Sequence, residues 1–254
     1  MALLDAGDSE AVRRGFRWLR TAQRPDGGWP PQAGVDESTW VTALVALLPP
    51  EQLSDTVHEK AVNWVAGSSA EESGTIFRLR QWLLGQSSLS SNQAPGWPWI
   101  PNTAAWVAPT SIAVLALQKE SRRDSRSDLQ KRLDEGRNFL LQRMCKGGGW
   151  NHGSTTPLGY PTTPYPETTG MALTALHGVH ARQIDVSLPL AQRYLSECRS
   201  ADAWNWLRLG LLAQGRLPVD AAPAAELQFR SVPEVSLDLI LQAAFQGRNR
   251  IFAA

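Results

Sequence analysis

The segment Arg14-Gly15-Phe16-Arg17-Trp18-Leu19-Arg20-Thr21-Ala22-Gln23-Arg24-Pro25-Asp26-Gly27-Gly28-Trp29 begins as a helix and ends as a tight turn. Val12, Phe16, Leu19 and Ala22 recur at the spacing that puts apolar side chains on one helical face, and Pro25-Asp26-Gly27-Gly28 then breaks the helix. The helical pattern resumes over 39–48, with Trp40, Ala43, Leu44 and Leu47 in phase, until Pro49-Pro50 stops it. The unit is therefore a helix, a Gly-Trp turn, a loop and a second helix.

That unit recurs along the chain. Gly136-Arg137-Asn138-Phe139-Leu140-Leu141-Gln142-Arg143-Met144 leads to Lys146-Gly147-Gly148-Gly149-Trp150, a Pro/Thr-rich loop and a helical stretch over 168–178. Two further copies are degenerate. Gly96-Trp97-Pro98-Trp99 precedes the apolar run 109–117, and 190–197 precedes Ala203-Trp204-Asn205-Trp206, which runs directly into 207–214 with the intervening loop almost deleted. The landmarks Trp29, Trp97, Trp150 and Trp204 are 68, 53 and 54 residues apart, and the long first interval has room for two more helical segments, 55–66 and 74–84. With 126–144 and 235–246, the pattern predicts about ten helices and no alternating strand. It also accounts for part of an unusual aromatic balance, 11 Trp against 6 Phe and 3 Tyr.

Composition narrows the class. A chain of 254 residues with 43% hydrophobic and 19% charged residues is not disordered as a whole, and a net charge of +1 gives neither a broad basic face for nucleic acid nor an acidic tail. Two cysteines, Cys145 and Cys198, are too few for a disulfide framework and point to a reducing, cytoplasmic compartment. Residues 1–14 carry Asp5, Asp8 and Glu10 without an apolar run, unlike a secretory or transit segment, and no stretch approaches the ~18 apolar residues of a membrane span.

Within each repeat the first helix carries the charge (Arg13, Arg14, Arg17, Arg20; Arg132, Glu135, Arg137, Arg143) and the second is rich in Ala, Leu, Val and Thr. An amphipathic helix belongs on an outer wall and a uniformly apolar one inside it. The expectation is one all-α domain over 1–254, an α/α toroid in which helical hairpins stack side by side into a double-walled ring.

The Arg14–Trp29 segment resembles the QW repeat of the squalene/oxidosqualene cyclase and prenyltransferase β-subunit superfamily. That repeat runs basic, small, spacers, aromatic, aliphatic, spacers, Gln, spacers, Gly-x-Trp. The stretch from Glu135-Gly136 through Phe139-Leu140 to Gly148-Gly149-Trp150 matches it apart from the basic start and the Gln, where Met144 stands. The resemblance implies a terpenoid cyclase-like toroid and a hydrophobic ligand, an isoprenoid or other lipid. A Gln at the helix end would hydrogen-bond the chain termini of neighbouring helices and stack on the next Trp. One ring of about ten helices is short of a full circle; the apolar segment 235–252, a second subunit or a homodimeric partner would close the cavity, and peripheral membrane contact is compatible with such a ligand.

The same resemblance directs attention to carboxylates. Class II terpene cyclases protonate an alkene or epoxide with an Asp-x-Asp-Asp motif, a strong acid sheltered from water. This chain has no such motif; its nearest counterpart is Gly34-Val35-Asp36-Glu37-Ser38-Thr39, with Asp36 at the proton donor's place. Asp36 is also readable as the N-cap of a helix over 37–48, a position that Asp ordinarily stabilises. The second candidate acid is Glu167 in Tyr165-Pro166-Glu167-Thr168, where Pro-Glu also suits an ordinary helix start. His152, Tyr160 and Tyr165 surround Glu167 in sequence as the densest polar constellation and are candidate substrate-binding residues, as are Trp97, Trp99 and Trp106 in the Pro-stiffened loop 86–108. Those Trp residues suit a lid or ligand platform, or packing across the ring mouth.

The zinc-dependent prenyltransferases need an Asp two residues before a Cys. Arg143 and Ser196 stand there instead, and His177 and His180 have no third ligand nearby in sequence, so no metal or other cofactor is expected. Three readings follow: an isoprenoid-converting enzyme with an atypical carboxylic acid, a non-catalytic toroid binding a lipid, peptide or protein, and a carbohydrate-active toroid with the loop 151–167 as its sugar site.

Overall fold

A computed structural model describes residues 1–70, 94–153, 162–216, 226–248 and 251–252; the predicted segment 74–84 and Tyr160 lie outside them. The fold is all-α. Among the described residues the helices are α1 (Ala2–Ala6), α2 (Ser9–Ala22), α3 (Val41–Ala46), α4 (Pro50–Leu53), α5 (Asp55–Gly67), α6 (Val107–Ser121), α7 (Ser127–Gln142), α8 (Pro166–Ala175), α9 (Arg182–Glu197), α10 (Ala201–Ala213) and α11 (Val232–Phe245). The chain divides into two compact units, one of Leu19–Gln142 and one of Met1–Trp18 with Arg143–Ala254.

In the Leu19–Gln142 unit, α6 is buried without interruption from Val107 to Lys119, which is why that stretch carries no polar face. The helix beside it, α7, is amphipathic and buries Leu129, Leu133, Gly136, Phe139 and Leu140 at helical spacing. Gly136 sets how closely the two approach: a Cβ there would lie 2.6 Å from Val114 and from the ring of Trp97. A buried pair joins α5 to α6, His58 Nε2 lying 2.9 Å from Glu120 Oε2. The hydrogen bond from His58 holds the Glu120 carboxyl below its usual range despite burial.

In the second unit, α8 and α10 are the buried helices and α9 is amphipathic. Gly170 and Gly210 bring α8 and α10 into backbone contact. A Cβ on Gly170 would fall inside the Trp206 backbone, and one on Gly210 would lie 2.7 Å from the Gly170 carbonyl. Amphipathic and buried helices alternate along the chain as read from the sequence, although the pair read as 136–144 with 168–178 is divided between the two units.

Two sequence expectations change here. The helix expected over 37–48 starts only at Val41, with Trp40 as its N-cap. Trp204, the landmark of the degenerate fourth copy, lies inside α10, which begins at Ala201 and runs through both Trp204 and Trp206. With Ser200 capping the helix through Ala203 N–H, the chain is helical over Ala201–Ala213, so no turn forms at this Trp.

Candidate functional site

The three true Gly-Trp turns share one device that the sequence pattern did not reveal. The backbone N–H of Trp29, Trp97 and Trp150 donates to Thr42, Thr110 and Thr169 Oγ1 at 2.9, 2.8 and 3.0 Å. Each Thr sits in or at the start of the buried second helix. Each Trp carbonyl in turn accepts the N–H of a residue at that helix entrance: Thr39 at 2.9 Å, Trp106 at 3.0 Å and Tyr165 at 2.8 Å. The helix start is thus satisfied by the Trp backbone rather than by a capping side chain.

The glycines follow from this clamp. A Cβ on Gly28, Gly96 or Gly149 would lie 3.0, 2.8 or 2.9 Å from the hydroxyl of the same Thr, so the residue before each Trp has no room for a side chain. One residue earlier, Gly27 and Gly148 adopt φ of 92° and 105°, and a Cβ would press on the carbonyls of Lys60 in α5 and Val186 in α9. The Thr at the second-helix start was the available signal, recurring 13, 13 and 19 residues after each Trp.

Glutamines tie the helix ends, as the repeat reading expects for Gln23. Its Nε2 donates to the carbonyls of Gly27 and Val57, both at 2.9 Å. Gln214, just past α10, does the same for the end of α8 through the carbonyls of Leu173 and Leu176. At the end of α3, Lys119 Nζ takes that part, donating to Leu47 O at 3.1 Å, where a cation also meets the negative end of the helix dipole.

Asp36 does not sit in a sheltered cavity. Its side chain is 97% exposed on the loop before α3, ion-paired with Arg24, and it caps no helix. The hydrogen-bonded carboxylate beside it is Asp26, exposed in the Gly-Trp turn, which accepts the Gly28 N–H at 3.0 Å and the Ser38 hydroxyl at 2.8 Å. Partial desolvation pushes the Asp26 carboxyl up, but these bonds together with the Trp64 indole and Arg24 hold it below its usual range.

The three candidate Trp residues divide. Trp97 is buried at 3% exposure, its indole N–H donates to Val65 O at 2.8 Å, and the Arg132 guanidinium lies 3.4 Å over its ring. Arg132 is itself enclosed and donates to the carbonyls of Pro95, Ser68 and Gly96, while burial brings its pKa down to about 10. Trp97 is therefore a core residue rather than a ligand contact. Trp99 is half-buried and meets Trp40 edge-on, ring centroids 4.9 Å apart, and its carbonyl accepts the Trp40 N–H. Trp106 is 38% exposed at the N-cap of α6, beside the Pro98–Ala105 bridge that closes the loop. Trp40, which sequence reading assigned to helix packing, is the partner that makes this an aromatic cluster.

In the other unit, the rings of His152 and Tyr165 meet at a tilt of 33° with centroids 5.0 Å apart, and Tyr165 is 43% exposed. Glu167 lies two residues further on in the first turn of α8, half-buried. The residue that sequence reading missed is Asp202, half-buried in the first turn of α10. A carboxylate there is ordinarily stabilised by the helix N-terminus. Here burial and the negative charges of Glu167 and Glu234 push the Asp202 carboxyl up, against the opposing hydrogen bond with Trp206. One turn along α10, the fully buried Asn205 donates to Glu234 O at 3.2 Å, and its Oδ1 has no partner. Glu234 accepts the N–H groups of Arg230 and Ser231 in the capping box of α11. The Asp202 signal was masked because Ser200-Ala201-Asp202 looks like routine helix-start chemistry.

Cys145 and Cys198 are buried and free, and burial pushes both thiols up, away from nucleophilic use. His177 stacks on Phe252 at 4.7 Å. Among the described residues no group of three or more His, Cys, Asp or Glu side chains is placed to hold a metal ion. Chemically, the unit offers one half-buried carboxyl, Asp202, whose pKa is raised by burial and by the charge of Glu167, and a tilted His152–Tyr165 ring pair. No protein-family model matches the chain, and no curated protein does either. Among the described residues no helix is long and apolar enough to cross a membrane.

Proposed function

We propose that the protein is a toroid-type isoprenoid- or lipid-handling protein, resembling the squalene cyclase and prenyltransferase β-subunit superfamily, in which Asp202 backed by Glu167 supplies the acid. The observation that carries this is the Asp202 carboxyl, half-buried at the start of α10, whose pKa is raised by burial and by the charges of Glu167 and Glu234. Protonating an unsaturated hydrocarbon calls for an acid that keeps its proton and is sheltered from water. The half-burial and raised pKa of Asp202 are steps toward that environment, whereas Asp36 is on the surface. Tyr165, His152 and the Trp40–Trp99 cluster are the aromatic surfaces offered to a hydrophobic ligand in their respective units.

Asp202→Asn tests the reading by two readouts. A carboxyl whose folded-state pKa is raised binds its proton more tightly in the folded chain. Its ionisation therefore lowers stability as pH rises from about 3.8 through the folded-state value, and the loss persists above it. Asp202→Asn is accordingly expected to be more stable than the parent at pH 7 and equal to it in strong acid, by thermal unfolding across pH. The same variant is expected to retain lipid in native mass spectrometry after exposure to isoprenyl diphosphates, squalene and a lipid extract, and to convert none of it. Turnover unchanged in Asp202→Asn would defeat the assignment.

A second reading has its own support. The carboxylate at the family's proton-donor position, Asp36, is on the surface, which suits a ligand- or protein-binding module without chemistry. Retained lipid with no product from the parent protein would select it.

A further inference from the structure

We propose that the outward face of α2 is a docking surface for an anionic lipid bilayer. The helix buries Val12 and Phe16 and turns Arg13, Arg14, Arg17, Trp18 and Arg20 to solvent. At about 100° per residue, Arg13, Arg17 and Arg20 share one arc, Arg14 follows at its edge, and Trp18 lies beyond Arg14 on the far flank. Four arginines against the single Glu10 give this one helix more positive charge than the whole chain carries. Glu10 is spent on Arg14, at 3.5 Å with both side chains more than two-thirds exposed. Arg20 reaches back to Gln52 O at 2.9 Å. Arg13 and Arg17 stand in the middle of the arc.

Trp18 decides between partners. At 58% exposure it is the most exposed Trp described, an indole set beside guanidinium groups on the outside of the protein. Packing inside the repeat does not require that exposure, because the QW tie is made by Gln23 and the Trp29 turn. A bilayer interface takes both chemistries at one depth: guanidinium groups pair with lipid phosphates, and an indole settles at the headgroup level with its apolar face toward the acyl chains. A nucleic acid would call for a wider basic footprint than one helix in a chain of net charge +1. Since the apolar stripe of α2 is committed to the protein core, attachment would be electrostatic with one aromatic anchor, without insertion of the helix.

The surface is independent of the Asp202 reading, and its test needs no isoprenoid ligand. The full chain is sedimented with vesicles of phosphatidylcholine alone and of phosphatidylcholine mixed with phosphatidylglycerol, at low and high salt. Binding is expected only to the mixed vesicles and is expected to be released by salt. At about 1 kcal/mol per basic residue near an anionic membrane, the double substitution Arg13→Gln with Arg17→Gln is expected to weaken binding about 25-fold. Trp18→Ala is expected to cause a smaller loss that leaves the salt dependence unchanged. Circular dichroism melts of these surface variants, expected to match the parent, separate lost binding from lost folding. Equal binding to both vesicle types, no binding at all, full binding by the double variant, or capture by an acidic peptide or oligonucleotide in place of vesicles would each overturn the proposal. Vesicle binding with no ligand turnover would leave it standing while removing the enzymatic reading.

Discussion

Trp97 and Trp204 occupy the same place in the repeat pattern and do opposite things. Trp97 lies in a loop, has its backbone N–H held by Thr110, its indole N–H by Val65 O, and its ring covered by Arg132. Trp204 lies within a helix; its indole N–H is buried with no acceptor, and Arg208 stacks 4.1 Å over its ring. The difference teaches that two solutions join the helices of this protein. Where a loop separates the helices, a Gly-Trp turn clamps the start of the second helix through a Thr. Where the loop is deleted, as before α10, no turn exists to clamp, and two glycines let the helices touch backbone to backbone instead.

The largest effect that could break this comparison is Gly170→Ala. Its added Cβ meets main-chain atoms of α10 that cannot rotate away, so a loss of about 3 kcal/mol is expected in urea unfolding. Gly15→Ala is the control: nothing lies within 4 Å of a Cβ there, and a helical Gly-to-Ala change is expected to be neutral or stabilising by about 0.5 kcal/mol. If both cost the same, backbone contact is not what holds α8 to α10.

Next in size are the clamps. Thr110→Val and Thr169→Val keep the shape of the side chain and strand a buried Trp N–H, with an expected cost of about 2 kcal/mol each. Matching losses in the two units would sharpen the view of one device used repeatedly. A loss at one site alone would break it.

The smallest expected contrast is between the Trp residues themselves. Trp97→Phe removes an indole donor that Val65 O uses, whereas Trp204→Phe removes a donor that satisfies nothing. Both lose ring volume, so Trp97→Phe is expected to exceed Trp204→Phe by about 1 kcal/mol in thermal unfolding.

Much of the fold was legible because its signals are local. Helical periodicity, Pro-Gly breaks and the charged-then-apolar alternation of paired helices each need only a short window, and all reappear in the structure. The Gln23 tie was also readable, since a Gln at a helix end beside a Gly-Trp turn has few acceptors other than nearby carbonyls. The acid was harder. Asp36 was nominated from its place in a motif, but a motif position says nothing about exposure, and the side chain is spent on Arg24. Asp202 was passed over because Asp near a Ser cap is the commonest helix-start chemistry. Its distinction comes from Glu167 and Glu234, 35 residues before it and 32 after it in sequence.

The amino-acid sequence by itself determined that this protein is all-helical, which helices are amphipathic and which apolar, and where its Gly-Trp turns fall. Those properties depend on side-chain periodicity and on backbone freedom within a few residues. Only the tertiary structure decided which Trp clamps a helix and which merely fills one, and which carboxyl has its pKa raised. Burial and electrostatic neighbourhood are sums over residues distant in the chain, and no local pattern encodes them.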